Sequence, residues 1–367
     1  MQSKSIDKTF LALAVLLALV GFAIFISASL GLLAREGVTF SRVASTQLVF
    51  GLIGGSLAMF FAANTSYRFW KQHALWLFVG ACVISLFVFI PGLGLGLKGA
   101  HRWISLGSFT FQPSELLKIG YVMYLAMWLA NARRTIGDWR FGLLPFLGIS
   151  GIIAIILLLQ KDTDTLVISL TAGLAMFVAS GARARDIAIV FLVAFLALGA
   201  VVMLRPYVLE RIQTFLDPSA DPLGASYQIQ QSLIAVGSGG VFGRGFGQSV
   251  QKFDYLPEPI GDSIFAVAAE EFGFIGSTLL IGLFLSFVIR GLLIARRAKD
   301  PYGGLLATGI VVLIGTQAFW NIAAMLGVVP LSGLPLVFVS HGGTALLFAL
   351  FSVGVVLNVS RHREAVV

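Results

Sequence analysis

Long apolar runs alternate with short polar segments from one end of the chain to the other. Each run is close to the roughly 20 residues that a helix needs to cross a bilayer, and Gly, Pro and charged residues cluster between the runs. The pattern predicts an all-α polytopic membrane protein with about ten transmembrane helices, at approximately residues 10–33, 43–63, 74–91, 115–130, 141–160, 165–181, 186–204, 262–290, 303–326 and 336–359.

The composition agrees with this class. Hydrophobic residues make up 58% of the 367 positions and charged residues only 11%, which excludes a water-soluble globule. The single cysteine, Cys82, has no partner within the chain, so intrachain disulfides and cysteine metal sites are excluded. The first apolar run lacks a small-residue cleavage site, and we expect it to be a retained helix rather than a signal peptide.

Basic residues fall unevenly between the two sides that an even number of spans defines. One side holds both termini and the segments 64–73, 131–140, 182–185 and 291–302, and it carries about 15 of the 25 basic residues. By the positive-inside rule this is the cytoplasmic side of a multi-pass protein, and both termini are expected in the cytoplasm. The formal net charge of +8 is therefore a topology signal, and no nucleic-acid partner is expected.

Acidic residues gather on the opposite side, where one polar segment is unusually long. We treat residues 1–367 as a single integral membrane domain, with a large extracytoplasmic loop at 205–262 between the seventh and eighth helices. Ionisable groups at a membrane boundary cost up to about 3 kcal/mol each when inserted, so their clustering on one face needs a reason. An external active site would supply one.

Glu115 and Lys118 stand three residues apart at the start of the predicted fourth helix, which Pro113 is well placed to begin. The spacing puts both side chains on one face. They form either an internal ion pair that lets the helix insert, or part of a polar cleft that opens to the outside together with Arg102. Arg102 lies beside Trp103, and this pair is equally typical of an interfacial anchor.

Two aspartates, Asp162 and Asp164, lie in the very short loop before the sixth span. Oxygen ligands from one short loop are weak evidence for a cation site, and Asp162 is only a weak metal candidate. Asp164 is also suited to cap the sixth helix, with Thr163 and Thr165 as competitors.

The loop 205–262 begins with Arg205 and Arg211. Residues 207–216 have the composition of an amphipathic helix on the membrane surface, and 229–236 are a second candidate. The glycine run 238–247 allows two interpretations, a phosphate-binding loop with Arg244 or a flexible connection.

Asp262 is the last polar residue before Ser263 and the eighth span. A position near a helix N-terminus favours its ionised form. It is either an N-cap or a reactive carboxylate. Glu270 and Glu271 follow inside the same helix, where buried pairing is expected.

Several stretches together resemble one known family. They are HRWISLG and FQPSELLK within 101–118, the stretch from RPYVLERIQTF to QIQQS at 205–232, GSGGVFGRGFG at 237–247, YLPE and D.IFAVAAEEFGFIG within 255–276, and NIAAMLGVVPLSGLPLVFVSHGG at 321–343. On these motifs the chain is identified as similar to the SEDS family (shape, elongation, division and sporulation), and most of all to its elongation member. It departs from the family pattern at Ile260, Gly261 and Ser263, which flank Asp262, and within residues 161–165.

The resemblance implies a peptidoglycan glycosyltransferase that polymerises lipid II at the outer face of the cytoplasmic membrane, for cell elongation and rod shape. The family's essential aspartate falls on Asp262. Its conserved cleft and basic positions fall on Arg102, Glu115, Lys118, Arg205 and Arg211. The implied partners are lipid II, a class B penicillin-binding protein with transpeptidase activity, and other membrane proteins of the elongation complex.

The implied reaction is a single inverting displacement, which needs one base and a cationic environment for the departing pyrophosphate. Asp262 is the candidate general base. The candidate pyrophosphate ligands are Lys118, Arg102, Arg205 and Arg211, while Glu115 would orient Lys118 or contact sugar. No cofactor is certain, although a divalent cation, Mg or Mn, is a candidate aid to the leaving group. The alternatives are a lipid II flippase or transporter and another lipid-linked sugar polymerase.

Overall fold

Helices occupy most of the chain in the computed structural model, which describes residues 5–34, 40–97, 100–106, 109–219, 221, 224 and 226–362. A π-helical segment, Gln47–Gly54, joins the second and third helices, and 3₁₀ turns end the first and fourth. The α-helices of these residues, α1 to α13, are Lys8–Ser29, Phe40–Thr46, Gly55–Asn64, Tyr67–Leu86, Pro113–Asn131, Leu143–Leu159, Thr163–Ala179, Ala184–Leu204, Pro206–Leu216, Tyr227–Ser238, Ile264–Arg296, Pro301–Met325 and Gly343–Arg361.

The ten predicted spans all fall on helices. Seven segments are long and apolar enough to cross a membrane, namely Lys8–Leu33, Phe40–Asn64, Tyr67–Phe89, Ala184–Leu204, Ile264–Arg296, Pro301–Met325 and Gly343–Arg361. The shorter α6 and α7, together with α5, account for the other three. The prediction of an all-α polytopic membrane protein is therefore confirmed. The helices α9 and α10 also confirm the two amphipathic segments expected between residues 205 and 262.

Two predicted boundaries are wrong, each for a local reason. The third span begins at Tyr67 rather than near 74, because the Ser66 side chain accepts a hydrogen bond from the Arg68 backbone and caps the helix. The last span begins at Gly343 rather than near 336. Pro335 and the left-handed backbone of Phe338 keep the preceding residues in an irregular segment. That segment, residues 326–342, is called the α12–α13 loop below.

Three short strands lie between α4 and α5, where no strand was expected. They are β1 (Gly94–Leu97), β2 (Ala100–Leu106) and β3 (Phe109–Phe111), paired antiparallel in that order. Gly94 pairs with Ile104, and Ile104 pairs in turn with Phe111. This small sheet holds Arg102 on its central strand.

The chain enters and leaves the helix bundle at the same end. The Asp7 backbone N–H donates to the Ser360 hydroxyl at 2.9 Å, and Asp7 Oδ2 pairs with Arg290 Nη2 at 2.8 Å. Tyr67 and Asp300 meet at the same end through a hydrogen bond of 2.6 Å. This agrees with the even number of spans; residues 1–4 and 363–367 lie outside the described part of the chain.

The long helix α11 is broken at Gly273, whose backbone has φ 66° and ψ −163°. The glycine run fills the break. Arg244 N–H donates to the Glu270 carbonyl at 3.0 Å and Gly245 N–H to the Glu271 carbonyl at 2.9 Å, while Phe274 N–H donates back to Gly240 at 2.9 Å. The Arg244 and Gly245 amides are therefore bonded to α11 and do not face a phosphate.

Glu270 and Glu271 are buried and paired, as expected. Lys252 Nζ lies 2.7 Å from Glu271 Oε1 with both side chains fully enclosed. Ser249 donates its hydroxyl to Glu270 Oε2 at 2.6 Å, and Arg244 Nε lies 3.4 Å from Glu270 Oε1. The cluster fastens the segment before α11 to the half of α11 that precedes the break.

Candidate functional site

Asp262 is held from behind by backbone contacts. The buried Asn321 of α12 donates from Nδ2 to the Asp262 carbonyl at 2.7 Å and to the Leu334 carbonyl at 2.8 Å. The Ser340 hydroxyl donates to the Gly261 carbonyl at 2.6 Å, and His341 N–H donates to the Ile260 carbonyl at 2.7 Å. Asn321 and the α12–α13 loop thus fix the backbone of residues 260–262.

The Asp262 carboxylate does not cap α11. Ser263 occupies the N-cap position, where no side-chain capping hydrogen bond is made. Asp262 Oδ1 is enclosed and has no hydrogen-bond partner among the described residues. Burial raises the pKa of Asp262 to about 7, and the Glu258 charge adds to the effect, whereas Gln228 and Arg211 lower it. Desolvation thus outweighs the preference for the ionised form that a nearby helix N-terminus provides.

Two cavities meet at Asp262. One, of about 490 Å³, is lined by α9 and α10 and includes Arg211 and Gln228. The other, of about 590 Å³, is lined by α2, the small sheet and the start of α13, and includes Arg102 and His341. They are called the α9 cavity and the α13 cavity below. Asp262, Glu258 and Gly333 line both.

Arg211 lines the α9 cavity and is bound to Asp164. Arg211 Nη1 lies 2.9 Å from both oxygens of that carboxylate, and Asp164 Oδ2 also accepts from Gly333 N–H at 3.3 Å. The suggestion that Asp164 caps its helix is wrong, since α7 begins at Thr163 and the carboxylate faces Arg211. Asp164 thereby connects the amphipathic helix α9 to the α12–α13 loop.

Arg102 lines the α13 cavity and contacts the same short turn between α6 and α7. Arg102 Nη1 lies 3.7 Å from Asp162 Oδ1, and Nη2 donates to the Lys161 carbonyl. Arg205 also reaches this turn, with Nη2 3.5 Å from the Leu158 carbonyl, but it lines neither cavity.

Glu115 and Lys118 lie inside the bundle rather than at the cavities. Lys118 Nζ is 2.9 Å from Glu115 Oε1 and 2.9 Å from Gln317 Oε1, and its side chain is 3% exposed. Gln317 Nε2 in turn donates to the Pro335 carbonyl at 3.0 Å. The structure thus contains the internal ion pair, which also lines a small cavity of about 30 Å³ together with Pro335 and Ser340. The pair acts on the α12–α13 loop through Gln317.

The described residues around Asp262 offer few ligands for a divalent cation. Among the described residues no three His, Cys, Asp or Glu side chains come together. The weak candidate Asp162 and its neighbour Asp164 each face an arginine, which competes for the carboxylate oxygens. The donor set of the described residues does not fit a cation.

Sequence reasoning missed four residues around Asp262: Glu258, Gln228, Asn321 and His341. Asn321 carried a usable signal, because Gln317 and Asn321 are polar residues four apart within an apolar run and so share one helix face. The other three lie in irregular or amphipathic segments, where spacing does not indicate orientation.

The chain matches known proteins along nearly its whole length. The cell cycle protein family that comprises FtsW, RodA and SpoVE matches residues 7–365. Stage V sporulation protein E of Bacillus subtilis (strain 168) is 41% identical over 319 residues, 87% of each chain. The probable peptidoglycan glycosyltransferase FtsW of Geobacter sp. (strain M18) is 39% identical over 357 residues, 96% of each chain.

Solved structures share the fold. A chain from a peptidoglycan synthase complex, described as coordinating polymerization and crosslinking, superposes with a TM-score of 0.79 at 28% identity, covering 97% of this chain and 98% of that one. The rod shape determining protein RodA of Thermus thermophilus superposes with a TM-score of 0.71 at 26% identity, covering 98% of each. The resemblance seen in the sequence motifs therefore extends to the complete bundle.

Proposed function

The chain belongs to the cell cycle protein family of FtsW, RodA and SpoVE, which is the SEDS family, and on this basis we propose that it is a peptidoglycan glycosyltransferase. Its substrate is lipid II, which it polymerises into glycan strands at the outer face of the bacterial cytoplasmic membrane. Both termini then lie in the cytoplasm, as the distribution of basic residues indicates.

The position of Asp262 between two cavities is the observation that carries this proposal. Glycan polymerisation joins two large substrates, so the reacting atoms need room on both sides of one catalytic group. The α9 cavity and the α13 cavity provide this room. Asp262 and Glu258 are the two carboxylates that line both cavities.

Asp262 acts as the general base. It takes the proton from the 4-hydroxyl of the acceptor GlcNAc while that oxygen attacks the anomeric carbon of the donor. The bond from the anomeric carbon to the pyrophosphate breaks, the electron pair leaves with the pyrophosphate, and the configuration inverts. One carboxylate suffices, because the leaving group needs charge neutralisation rather than protonation. Such a base contributes roughly 10²–10⁴ in rate.

The remaining candidate residues take different roles. Arg102 and Arg211 reach a cavity and are available for substrate anions, at the expense of their pairs with Asp162 and Asp164. Arg205 supports the same turn from outside the cavities. Glu115 and Lys118 are positioning residues, since Gln317 links Lys118 to the α12–α13 loop.

The partner and the biological role follow from the relatives. A class B penicillin-binding protein would crosslink the strands, in line with the synthase complex that shares this fold. We retain the elongation role and rod shape as the proposed assignment, with other elongation-complex membrane proteins as partners. Relatives at 41% and 39% identity carry sporulation and FtsW names, so complementation of elongation-deficient and division-deficient cells is the test that separates these roles.

The activity is tested with purified full-length protein and lipid II, with and without the transpeptidase. We expect glycan strands from the wild type and none from Asp262→Asn or Asp262→Ala, with both variants folded. Normal polymerisation by the variants would refute the base assignment. A wild-type protein that forms no glycan strands but moves lipid II across liposome membranes would show that the function is that of a flippase.

A further inference from the structure

Gln47 is a buried amide in an otherwise apolar stretch of the second span. Its side chain is 1% exposed. Its Nε2 donates to the Ser340 carbonyl at 3.1 Å, and its Oε1 accepts from the Gly342 N–H at 3.0 Å. A buried amide is costly unless its polar atoms are bonded, and here one side chain binds the backbone on both sides of His341. Gln47 therefore determines how the second span meets the α12–α13 loop.

The local helix geometry brings this amide to the loop. Gln47 begins the π-helical segment, and the buried positions Gln47, Gly51 and Gly55 recur every four residues. The wider turn of a π-helix keeps this spacing on one face, and such segments are rare and frequent at functional sites. A Cβ at Gly51 would lie 3.5 Å from the Gly343 Cα, and a Cβ at Gly55 would lie 2.6 Å from Leu350 Cδ1. The two glycines thus allow the close approach to α13 that the hydrogen bonds of Gln47 require.

The loop residues that bind this amide also hold the segment before Asp262. The Ser340 hydroxyl donates to the Gly261 carbonyl at 2.6 Å, and the His341 N–H donates to the Ile260 carbonyl at 2.7 Å. A shift of residues 340–342 would therefore move both peptide groups that precede the aspartate. Two successive sets of hydrogen bonds connect the second span to the candidate base.

Gln47 itself lies outside both cavities. The preceding residue, Thr46, lines the α13 cavity, whereas Gln47 lines neither the α13 cavity nor the α9 cavity. A substrate held in these cavities would therefore not touch the amide. Any effect of Gln47 on the reaction has to pass through the α12–α13 loop.

We propose that Gln47 is a positioning residue for Asp262. Its amide fixes residues 340–342, and these fix the backbone of residues 260–262 between the two cavities. The inference rests on the proposed function and adds a residue to it. A misplacement of about 1 Å at a reacting group costs on the order of 100-fold in rate. Because Asn321 still holds the Asp262 carbonyl, the expected loss on removing the Gln47 amide is about tenfold.

The test measures kcat and KM separately, with purified full-length protein and lipid II. Gln47→Met keeps the length of the side chain and removes both hydrogen bonds. We expect its kcat to fall about tenfold while KM changes by less than about twofold, because the amide does not contact substrate. A buried, neutral glutamic acid retains one donor and one acceptor, so Gln47→Glu should restore kcat to within about threefold of the wild type.

The control for a purely structural role is Asn358→Leu. Asn358 is a buried amide that also donates one hydrogen bond and accepts one, with partners at the other end of the bundle. Its kcat should equal that of the wild type once the protein is folded. A wild-type kcat in Gln47→Met, an equal fall of kcat in Asn358→Leu, a change confined to KM, or no rescue by Gln47→Glu would each overturn the proposal and leave the polymerase activity standing.

A double-mutant cycle with Ser340→Ala tests the route. If Gln47 acts through this loop, the losses of kcat and of Tm in the double variant should be smaller than the combined losses of the single variants. Independent losses would overturn the route. A wild type that forms no glycan strands would refute the proposed function instead. The Tm cycle then still decides the link between Gln47 and the Asp262 segment: coupled losses would retain it, and additive losses would overturn it.

Discussion

At the scale of single residues, Asp262 combines two conditions that a general base requires. It faces both cavities, and burial with the help of Glu258 brings its pKa to about 7. A carboxylate with an ordinary pKa would be ionised but a weak proton acceptor, whereas a pKa near the working pH balances basicity against the ionised fraction. The irregular segment before α11 thus lets the Asp262 side chain be buried and still line both cavities.

The pH dependence of polymerisation follows from this pKa. The proposed base acts in its ionised form, so we expect activity above the pKa and its loss as the pH falls through about 7. Glu258→Gln removes a charge that raises the pKa, so the rising limb of kcat/KM should move to lower pH. The limb is measured with lipid II between pH 5.5 and pH 8.5 at constant ionic strength. A limb that stays in place or moves to higher pH in the variant would contradict the role of Glu258.

Asn321 offers a second test at this scale, with an internal control. Asn321→Leu removes two hydrogen bonds and leaves the Asp262 and Leu334 carbonyls without them, so we expect a loss of about 1–3 kcal/mol in stability for each unsatisfied group. We also expect kcat to fall on the order of 100-fold as Asp262 shifts.

The control is Asn358→Leu at the other end of the bundle. Asn358 is also buried and binds two backbone groups, the Tyr67 N–H and the Ala63 carbonyl, each at 2.9 Å. The thermal unfolding temperature should fall by a similar amount in both variants. The kcat of the folded Asn358→Leu protein, however, should equal that of the wild type. Equal kcat values for the two variants would assign Asn321 a structural role only.

At the scale of elements, the break in α11 separates the half-helix that begins beside Asp262 from the rest of the helix. The residues before Gly273 form a short buried half-helix that starts next to Asp262, and the residues after it continue as the membrane span. The glycine run satisfies the carbonyls that the break leaves free, and the enclosed Lys252–Glu271 pair fastens the half-helix. Removing either partner would leave a buried charge uncompensated, which typically costs about 3–5 kcal/mol.

Gly273→Ala tests the break. The left-handed backbone at this position disfavours a side chain, and a Cβ would collide with the Gly243 backbone nitrogen. We expect a destabilisation of at least about 1–3 kcal/mol, measured by thermal unfolding in detergent. Gly282→Ala, in the same helix with open space around its Cβ, should be neutral or raise stability by about 1 kcal/mol. A stable Gly273→Ala protein would mean that the break is not built into the fold.

At the scale of the whole molecule, charged contacts sort into two ends. Asp7 with Arg290 and Tyr67 with Asp300 lie at one end, while Arg102 with Asp162 lies at the other, near Asp262. This separation and the positive-inside rule together define an orientation.

Cysteine labelling tests this orientation. In a Cys82→Ala background, a cysteine at the exposed Phe242 should react with a membrane-impermeant maleimide in intact cells. A cysteine at Thr135, in the turn after α5, should react only after the membrane is opened. The reversed pattern would refute the proposed placement of the site on the outer face.

The spans could be predicted because a helix that crosses a bilayer needs about 20 consecutive, mostly apolar residues, and such a run is visible in the local sequence. The Glu115–Lys118 pair could be predicted because two polar residues at helical spacing interrupt that pattern. Its geometry depends on distant contacts, such as Gln47 with Gly342 and Arg102 with Asp162, which no local spacing encodes. The resemblance located Asp262, but its pKa and its two cavities depend on how separate segments pack.

The filled break in α11 also affects how the outer surface meets solvent and proteases. A glycine-rich segment with an arginine would ordinarily exchange its amide hydrogens within seconds and be cleaved by trypsin. Here the Arg244 and Gly245 amides are bonded to α11. They should exchange as slowly as those of the helix, and the bond after Arg244 should resist trypsin until the bundle opens. Slow amide exchange and resistance to trypsin in this segment would therefore show, without any substitution, that the half-helix before Gly273 is intact.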